Sequence, residues 1–128
     1  MWYSDLGLPI PVISPAPASN QNGTTSPLTL GTETFLGSDI TAAGSYQLFL
    51  NVSNLANGST PDILELRVYS EVLSGDTSVL MDIWTLYGAQ TTAIIYTPIY
   101  PIVNEIKFSL KQTQGTGRTF KWNIVQLG

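Results

Sequence analysis

The chain has 128 residues, a length that suits one domain with an ordinary hydrophobic core. It contains no cysteine and no histidine, which excludes disulfides, thiolate chemistry and the side chain most often used as a general base or metal ligand. Nine acidic residues against five scattered basic ones give a net charge of −4, so we expect no binding to the phosphate backbone of a nucleic acid.

Residues 1–27 are predicted to form an extended N-terminal arm. The first half of the arm is apolar, but Pro9, Pro11, Pro15 and Pro17 remove backbone donors and fix φ, which excludes a helix or a central strand. A polar spacer follows at residues 19–26. An extended apolar segment needs a surface to lie on, which is its own domain, a sister subunit or a larger partner. The predicted partner-binding residues of the arm are Trp2, Tyr3, Leu6, Leu8, Ile10, Val12 and Ile13.

The arm does not have the pattern of a secretory signal, because it lacks a basic start and its apolar run is interrupted by proline. No segment approaches the roughly 20 apolar residues that a membrane-spanning helix requires. We therefore expect a soluble protein with no membrane partner.

From residue 28 onward the apolar residues recur with period two, which predicts half-buried β-strands. The predicted strands cover residues 46–53, 64–72, 79–86, 106–111 and 120–124. In residues 79–86 both alternating sets are rich in apolar residues, so this strand is expected to be covered on both sides. Residues 74–76 and 114–118 carry turn chemistry and are each expected to close a hairpin.

This succession of short strands without a convincing helix predicts an all-β fold for residues 28–128. The expected architecture is an antiparallel β-sandwich or jelly-roll-like domain preceded by the arm.

Residues 93–103 combine an apolar run with Pro98 and Pro101, which predicts a strand ending at Thr97 and then an extended, edge-like connection. Two interpretations stay open. The segment is either an edge strand protected by proline or a second adhesive surface beside the arm. Under the second interpretation the contact residues are Tyr96, Ile99 and Tyr100.

The sequence predicts no catalytic, cofactor or metal site. A pair of carboxylates, as in glycosidases, could come from Glu65, Glu71 and Asp82, but solvated strand faces explain these acids more simply. A calcium site would need the loop aspartates 39, 62 and 76, which form no recognisable calcium-binding motif. The aromatic residues Trp84, Tyr87, Tyr96 and Tyr100 could line a carbohydrate-binding face, although aromatic side chains also commonly fill such cores.

Two segments carry a resemblance to a known group of proteins. They are the strand and turn at residues 64–75 and the closing strand, turn and strand at residues 108–122, which follow a strand at 46–53. Together they resemble small structural proteins encoded by tailed bacteriophages, over about residues 30–127.

The resemblance implies a virion component, and the leading expectation is a capsid cement or decoration protein made in the bacterial host cytoplasm. Such proteins bind the outer surface of the head at contacts between major capsid protein subunits, often as dimers or trimers. The alternatives are a tail or baseplate component and a carbohydrate-binding β-sandwich module.

Overall fold

A computed structural model of the protein describes residues 20–128, which fold into nine β-strands without a helix. No helix able to span a membrane occurs in this part of the chain. In chain order the strands are β1 (Gln21–Thr24), β2 (Glu33–Phe35), β3 (Gly44–Asn51), β4 (Ile63–Glu71), β5 (Val79–Tyr87), β6 (Ile94–Tyr96), β7 (Tyr100–Ile102), β8 (Glu105–Gln114) and β9 (Lys121–Gln126).

The strands form two antiparallel sheets in the arrangement of a jelly roll. One sheet has the order β1-β9-β3-β6, and β7 also pairs with β3, so that β6 and β7 together act as one interrupted edge strand. The other sheet has the order β2-β8-β4-β5. Each sheet therefore interleaves strands from both ends of the chain, which confirms the predicted all-β, jelly-roll-like class.

The core lies between the sheets and follows the predicted alternation. In β3 the buried side chains are Tyr46, Leu48 and Leu50, and in β4 they are Leu64, Leu66 and Val68. Strand β8 contributes Ile106, Phe108 and Leu110, and all of these residues belong to a single buried cluster. Removal of this apolar surface from water is the main stabilising contribution to such a fold.

The structure corrects two predictions about chain organisation. Residues 19–26 were expected to be a spacer outside the domain, yet Gln21–Thr24 forms β1 and pairs with β9 along four consecutive residues. Strands β8 and β9 were expected to form a hairpin, but they belong to different sheets, and residues 115–120 cross between them. The hairpin expected at residues 74–76 does join β4 to β5.

Residues 93–103 form two short strands on the outer side of β3. Strand β6 ends at Tyr96, one residue before the predicted end, and β7 then resumes the pairing with β3. Pro98 lies in the interruption and Pro101 within β7, which suits an edge strand because proline has no amide proton to donate. The arm residues 2–13 predicted to bind a partner lie outside the described residues.

Candidate functional site

The main candidate for a functional site is the open edge formed by β5. Among the described strands β5 pairs only with β4, and its nine residues contain no proline. The strands at the other three edges have only three or four residues each. Proteins normally shorten, charge or cover a long apolar edge strand. The edge of β5 is therefore a candidate site for pairing with a further strand.

The prediction that β5 would be covered on both sides is wrong. Its pairing with β4 places Trp84 opposite Leu66, on the side that faces the other sheet, and Ile83 opposite Arg67, on the outer side. Trp84 is nevertheless 41% exposed, and Ile83 is exposed as well. The inward side is open because the short strands β6 and β7 leave a gap beside β5.

A groove runs along this gap, between β5 and β6. Its volume is about 180 Å³, and it is lined by Leu66, Trp84, Leu86, Ile95, Tyr96 and Thr97. The Thr97 hydroxyl accepts a hydrogen bond from the Leu48 amide at 3.1 Å and donates one to the Pro98 carbonyl at 2.9 Å. The lining therefore offers apolar and aromatic surface, and the Thr97 hydroxyl within it is already engaged.

Two of the three contact residues predicted in this region lie on the surface. Tyr96, the last residue of β6, is 69% exposed, and Ile99, in the connection between β6 and β7, is 53% exposed. With Ile94 and the exposed apolar side chains of residues 83–87 in β5 they define a group that we call the apolar edge surface. Its members are Ile83, Trp84, Tyr87, Ile94, Tyr96 and Ile99.

The third predicted residue, Tyr100, has a structural position. Its ring lies 6.3 Å from that of Phe108, and its hydroxyl donates a hydrogen bond to Asp82 Oδ2 at 2.8 Å. Burial, together with the hydrogen bond to Asp82, raises the pKa of Tyr100 to about 12. Tyr100 therefore joins β7 to β5 across the gap between the two sheets.

Two of the three acidic residues considered for catalysis are engaged in structural contacts. Glu65 pairs with Arg67 at 2.7 Å, and Asp82 accepts the Tyr100 hydrogen bond. Glu71 lies directly opposite Glu105 in the β4–β8 pairing. Residues 20–128 contain no group of three or more His, Cys, Asp or Glu side chains that could hold a metal ion.

Asp62 is the most buried of the aspartates considered for calcium. Its carboxylate accepts hydrogen bonds from the amides of Ala56 and Thr116, both at 2.9 Å, and from Arg118 Nε at 2.8 Å. Burial raises the pKa of Asp62, but these hydrogen bonds and the Arg118 charge outweigh it, so the pKa lies below its usual value. This carboxylate connects the β3–β4 loop to the β8–β9 crossing.

A second polar network lies on the outer face of the β2-β8-β4-β5 sheet. Glu33 Oε2 accepts hydrogen bonds from the Tyr69 hydroxyl at 2.6 Å and the Ser109 hydroxyl at 2.5 Å, with Arg67 at 3.7 Å. Burial raises the pKa of Glu33. These donors and the Arg67 charge lower it by more, so the pKa lies below its usual value. The network holds the short strand β2 against β8 and β4.

The strand geometry separates the aromatic residues that were predicted to form a carbohydrate-binding face. Trp84 and Tyr87 are three residues apart on β5, and their partners on β4 are Leu66 and Ile63, which point to opposite faces of the sheet. The two rings therefore do not share one face. Only Trp84 and Tyr96 line the groove together.

Sequence reasoning missed β5 as an edge. Its alternation resembles that of a strand covered on both sides, and periodicity alone does not distinguish a central strand from an edge strand. The signal that could have indicated the edge is Asp82, because an inward-pointing charge within an apolar strand is a common protection of edges.

The sequence matches no protein-family model and no curated protein.

Proposed function

We propose that this protein is a structural assembly protein, and specifically a capsid cement or decoration protein of a tailed phage. It would bind the outer surface of the head and stabilise the shell of major capsid protein, as a homo-oligomer. The observation that supports an assembly role most directly is the apolar edge surface, which combines a long open strand with exposed aromatic and aliphatic side chains.

Two further observations agree with this proposal. Glu65, Asp82 and Asp62, three of the acidic side chains considered for catalysis or metal binding, are engaged in ion pairs or hydrogen bonds, and no charged residue lines the groove. The jelly roll is also a common architecture of viral capsid proteins, although it occurs in lectins too, so the fold supports the proposal only by analogy. The apolar residues of the arm would add contact area to this surface.

The proposal is tested by adding the full chain to undecorated phage heads and measuring their resistance to heating. We expect binding that raises the temperature at which the heads lose their contents. The double variant Tyr96→Ser/Ile99→Ser should bind at least tenfold more weakly, because both exposed side chains lie at the proposed contact. Val72→Ser is the matched control, since Val72 is an exposed apolar residue in the β4–β5 turn, outside that surface.

Absence of binding to heads would overturn the cement proposal. The copy number in purified virions then separates a head protein from a tail or baseplate component, because an icosahedral shell holds many more copies than a tail ring. Equal binding by the double variant and the control would remove the apolar edge surface from the contact.

A further inference from the structure

We propose that residues 8–12 of the arm add an antiparallel strand to the open edge of β5 and so complete the β2-β8-β4-β5 sheet. This inference concerns the chain itself and does not depend on the identity of the partner.

The hydrogen-bond pattern identifies which backbone groups of β5 face outwards. The Gly88 amide donates to the Asp62 carbonyl at 2.7 Å, at the position where the β4–β5 ladder ends. Because bonded and non-bonded pairs alternate in antiparallel sheets, the backbone polar groups of Ile83, Thr85 and Tyr87 point away from β4. These groups form the open edge.

The two ends of this edge are already partly engaged. The Ile83 amide donates to Asp82 Oδ1 at 3.0 Å, and the Tyr87 carbonyl accepts from Gln90 Nε2 at 3.3 Å. What the edge offers to an added strand is the amide and carbonyl of Thr85, the Ile83 carbonyl and the Tyr87 amide. These four backbone groups are centred on Thr85, so a short extended segment can form hydrogen bonds with all of them.

The prolines of the arm fit such an edge position. Pro9 and Pro11 are two residues apart, so both would turn their missing amide protons to the same side of an extended chain. The amides of Leu8, Ile10 and Val12 then all point to the opposite side, where they can meet β5. A segment of this kind can pair on one side only, so it would end the sheet instead of extending it to another molecule.

The register follows from centring Ile10 on Thr85. In this register the Thr85 and Ile10 amides each donate to the carbonyl of the other residue, the Val12 amide donates to the Ile83 carbonyl, and the Tyr87 amide donates to the Leu8 carbonyl. The Ile83 amide and the Tyr87 carbonyl keep the hydrogen bonds that they already make. The directly opposed pairs are Leu8 with Tyr87, Pro9 with Leu86, Ile10 with Thr85, Pro11 with Trp84, and Val12 with Ile83.

The same register places the prolines in the groove. Residues opposite each other in a sheet share a face, so Pro9 and Pro11 would lie on the side of Leu86 and Trp84, which line the groove beside β6. Proline rings on an aromatic wall bury apolar surface without needing a hydrogen-bond donor, which suits a groove with so little polar lining.

Asn20, the first described residue, lies at the end of the sandwich where the proposed strand would end. The Asn20 side chain accepts a hydrogen bond from the Gln126 amide at 2.8 Å, and Gln126 lies opposite Tyr46, which pairs in turn with Tyr100. Because the Tyr100 hydroxyl reaches Asp82, Asn20 and the Asp82 end of β5 lie at the same end of the sandwich. The antiparallel register places Val12 at that end.

The connecting segment is long enough to make this crossing within one molecule. Strands β9 and β3 separate β1 from β7, β7 contacts β5 through Tyr100 and Asp82, and the added strand would lie one spacing beyond β5. These four spacings correspond to about 19 Å at about 4.8 Å per strand, and the sheets are about 10 Å apart. The diagonal is therefore about 22 Å. The eight steps from Val12 to Asn20 reach about 25 Å at about 3.1 Å per residue in an extended, proline-rich conformation. A parallel register would move Val12 to the far end of β5, more than 10 Å further away.

Amide hydrogen exchange of the full chain tests the pairing. We expect the Thr85 and Tyr87 amides to be protected in the unmodified protein, although neither faces β4. Ile10→Pro removes a donor that points at β5 and should accelerate exchange at both amides at least tenfold. Ile13→Pro is the matched control, because residue 13 has the parity of Pro9 and Pro11 and its amide points outwards. Unprotected amides in the unmodified chain, or equal acceleration by both variants, would overturn the proposal.

A disulfide test reads the register and the occupant together, because the chain has no cysteine of its own. Oxidation of the double variant Ile10→Cys/Thr85→Cys should give a cross-linked monomer, since opposed residues lie about 5.5 Å apart between Cα atoms. Val12→Cys/Tyr87→Cys is offset by four residues and should not cross-link. A cross-linked dimer, or protection of Thr85 that falls on dilution, would show that a second copy covers β5 and would contradict the proposal.

Discussion

At the scale of single residues, Asp62 is the most deeply buried acidic side chain of the described fold. Its buried carboxylate receives two backbone amides and Arg118, and so joins two connections that are far apart in sequence. We expect Asp62→Ala to lower the free energy of unfolding by about 3 kcal/mol, because these donors lose a charged acceptor inside the protein. Asp76→Ala, at an exposed turn position, is the control and should change the stability by less than about 0.5 kcal/mol. Urea unfolding measures both, and similar losses would refute this role.

The contribution of Asp62 should also depend on pH. Because the folded state lowers its pKa, the stabilisation is complete above the unfolded value of about 3.9 and is lost as the pH falls through the lower folded value. The stability difference between the unmodified protein and Asp62→Ala should therefore be constant near neutral pH and shrink below about pH 4. A difference that stayed constant to pH 2 would show that the charge of Asp62 is not what stabilises the fold.

Two turn glycines separate backbone strain from crowding. Gly75 and Gly115 both adopt positive φ, at 86° and 94°. A Cβ at Gly75 would meet nothing within 4 Å, whereas one at Gly115 would meet the Asp62 carboxylate. We expect Gly75→Ala to cost about 1 kcal/mol from the left-handed conformation alone, and Gly115→Ala to cost at least twice as much. Equal losses in thermal unfolding would contradict the crowding.

At the scale of strands and turns, the alternation of apolar residues was sufficient to predict β3, β4 and β8 and their buried faces. The β4–β5 hairpin also followed from its turn residues. The remaining errors have one physical origin. Local sequence determines that a strand forms and which side is apolar, whereas the choice of partner strand depends on contacts distant in sequence.

Three elements illustrate that limit. Turn residues between β8 and β9 fit a hairpin equally well, yet the chain there crosses to the other sheet. Strand β1 contains no large apolar residue, so its pattern reads as a spacer although it pairs with β9. Strand β5 has apolar residues on both sides because it lies at an open edge beside a groove. The exposure of Tyr96 and Ile99 agrees with the edge position that the prolines indicate, whereas Tyr100 was assigned to the surface although it anchors β7.

At the scale of the whole molecule, the two sides of the sandwich differ in how much apolar surface their edge strands expose. The edges formed by β1 and β2 are short and carry few exposed apolar residues, whereas the side formed by β5 and β6 carries the apolar edge surface. Pairing of residues 8–12 with β5 would place Leu8, Ile10 and Val12 next to Ile83 and Tyr87 on the outer face. The arm would then enlarge the surface offered to a protein shell while closing the edge against unwanted pairing.

Cryo-electron microscopy of undecorated phage heads mixed with the full chain tests the proposed function most directly. We expect additional density on the outer surface, at contacts between major capsid protein subunits, with the β5–β6 side of the jelly roll turned towards the shell. Heads without additional density at saturating protein, or density attached through the opposite β1–β2 side, would contradict it.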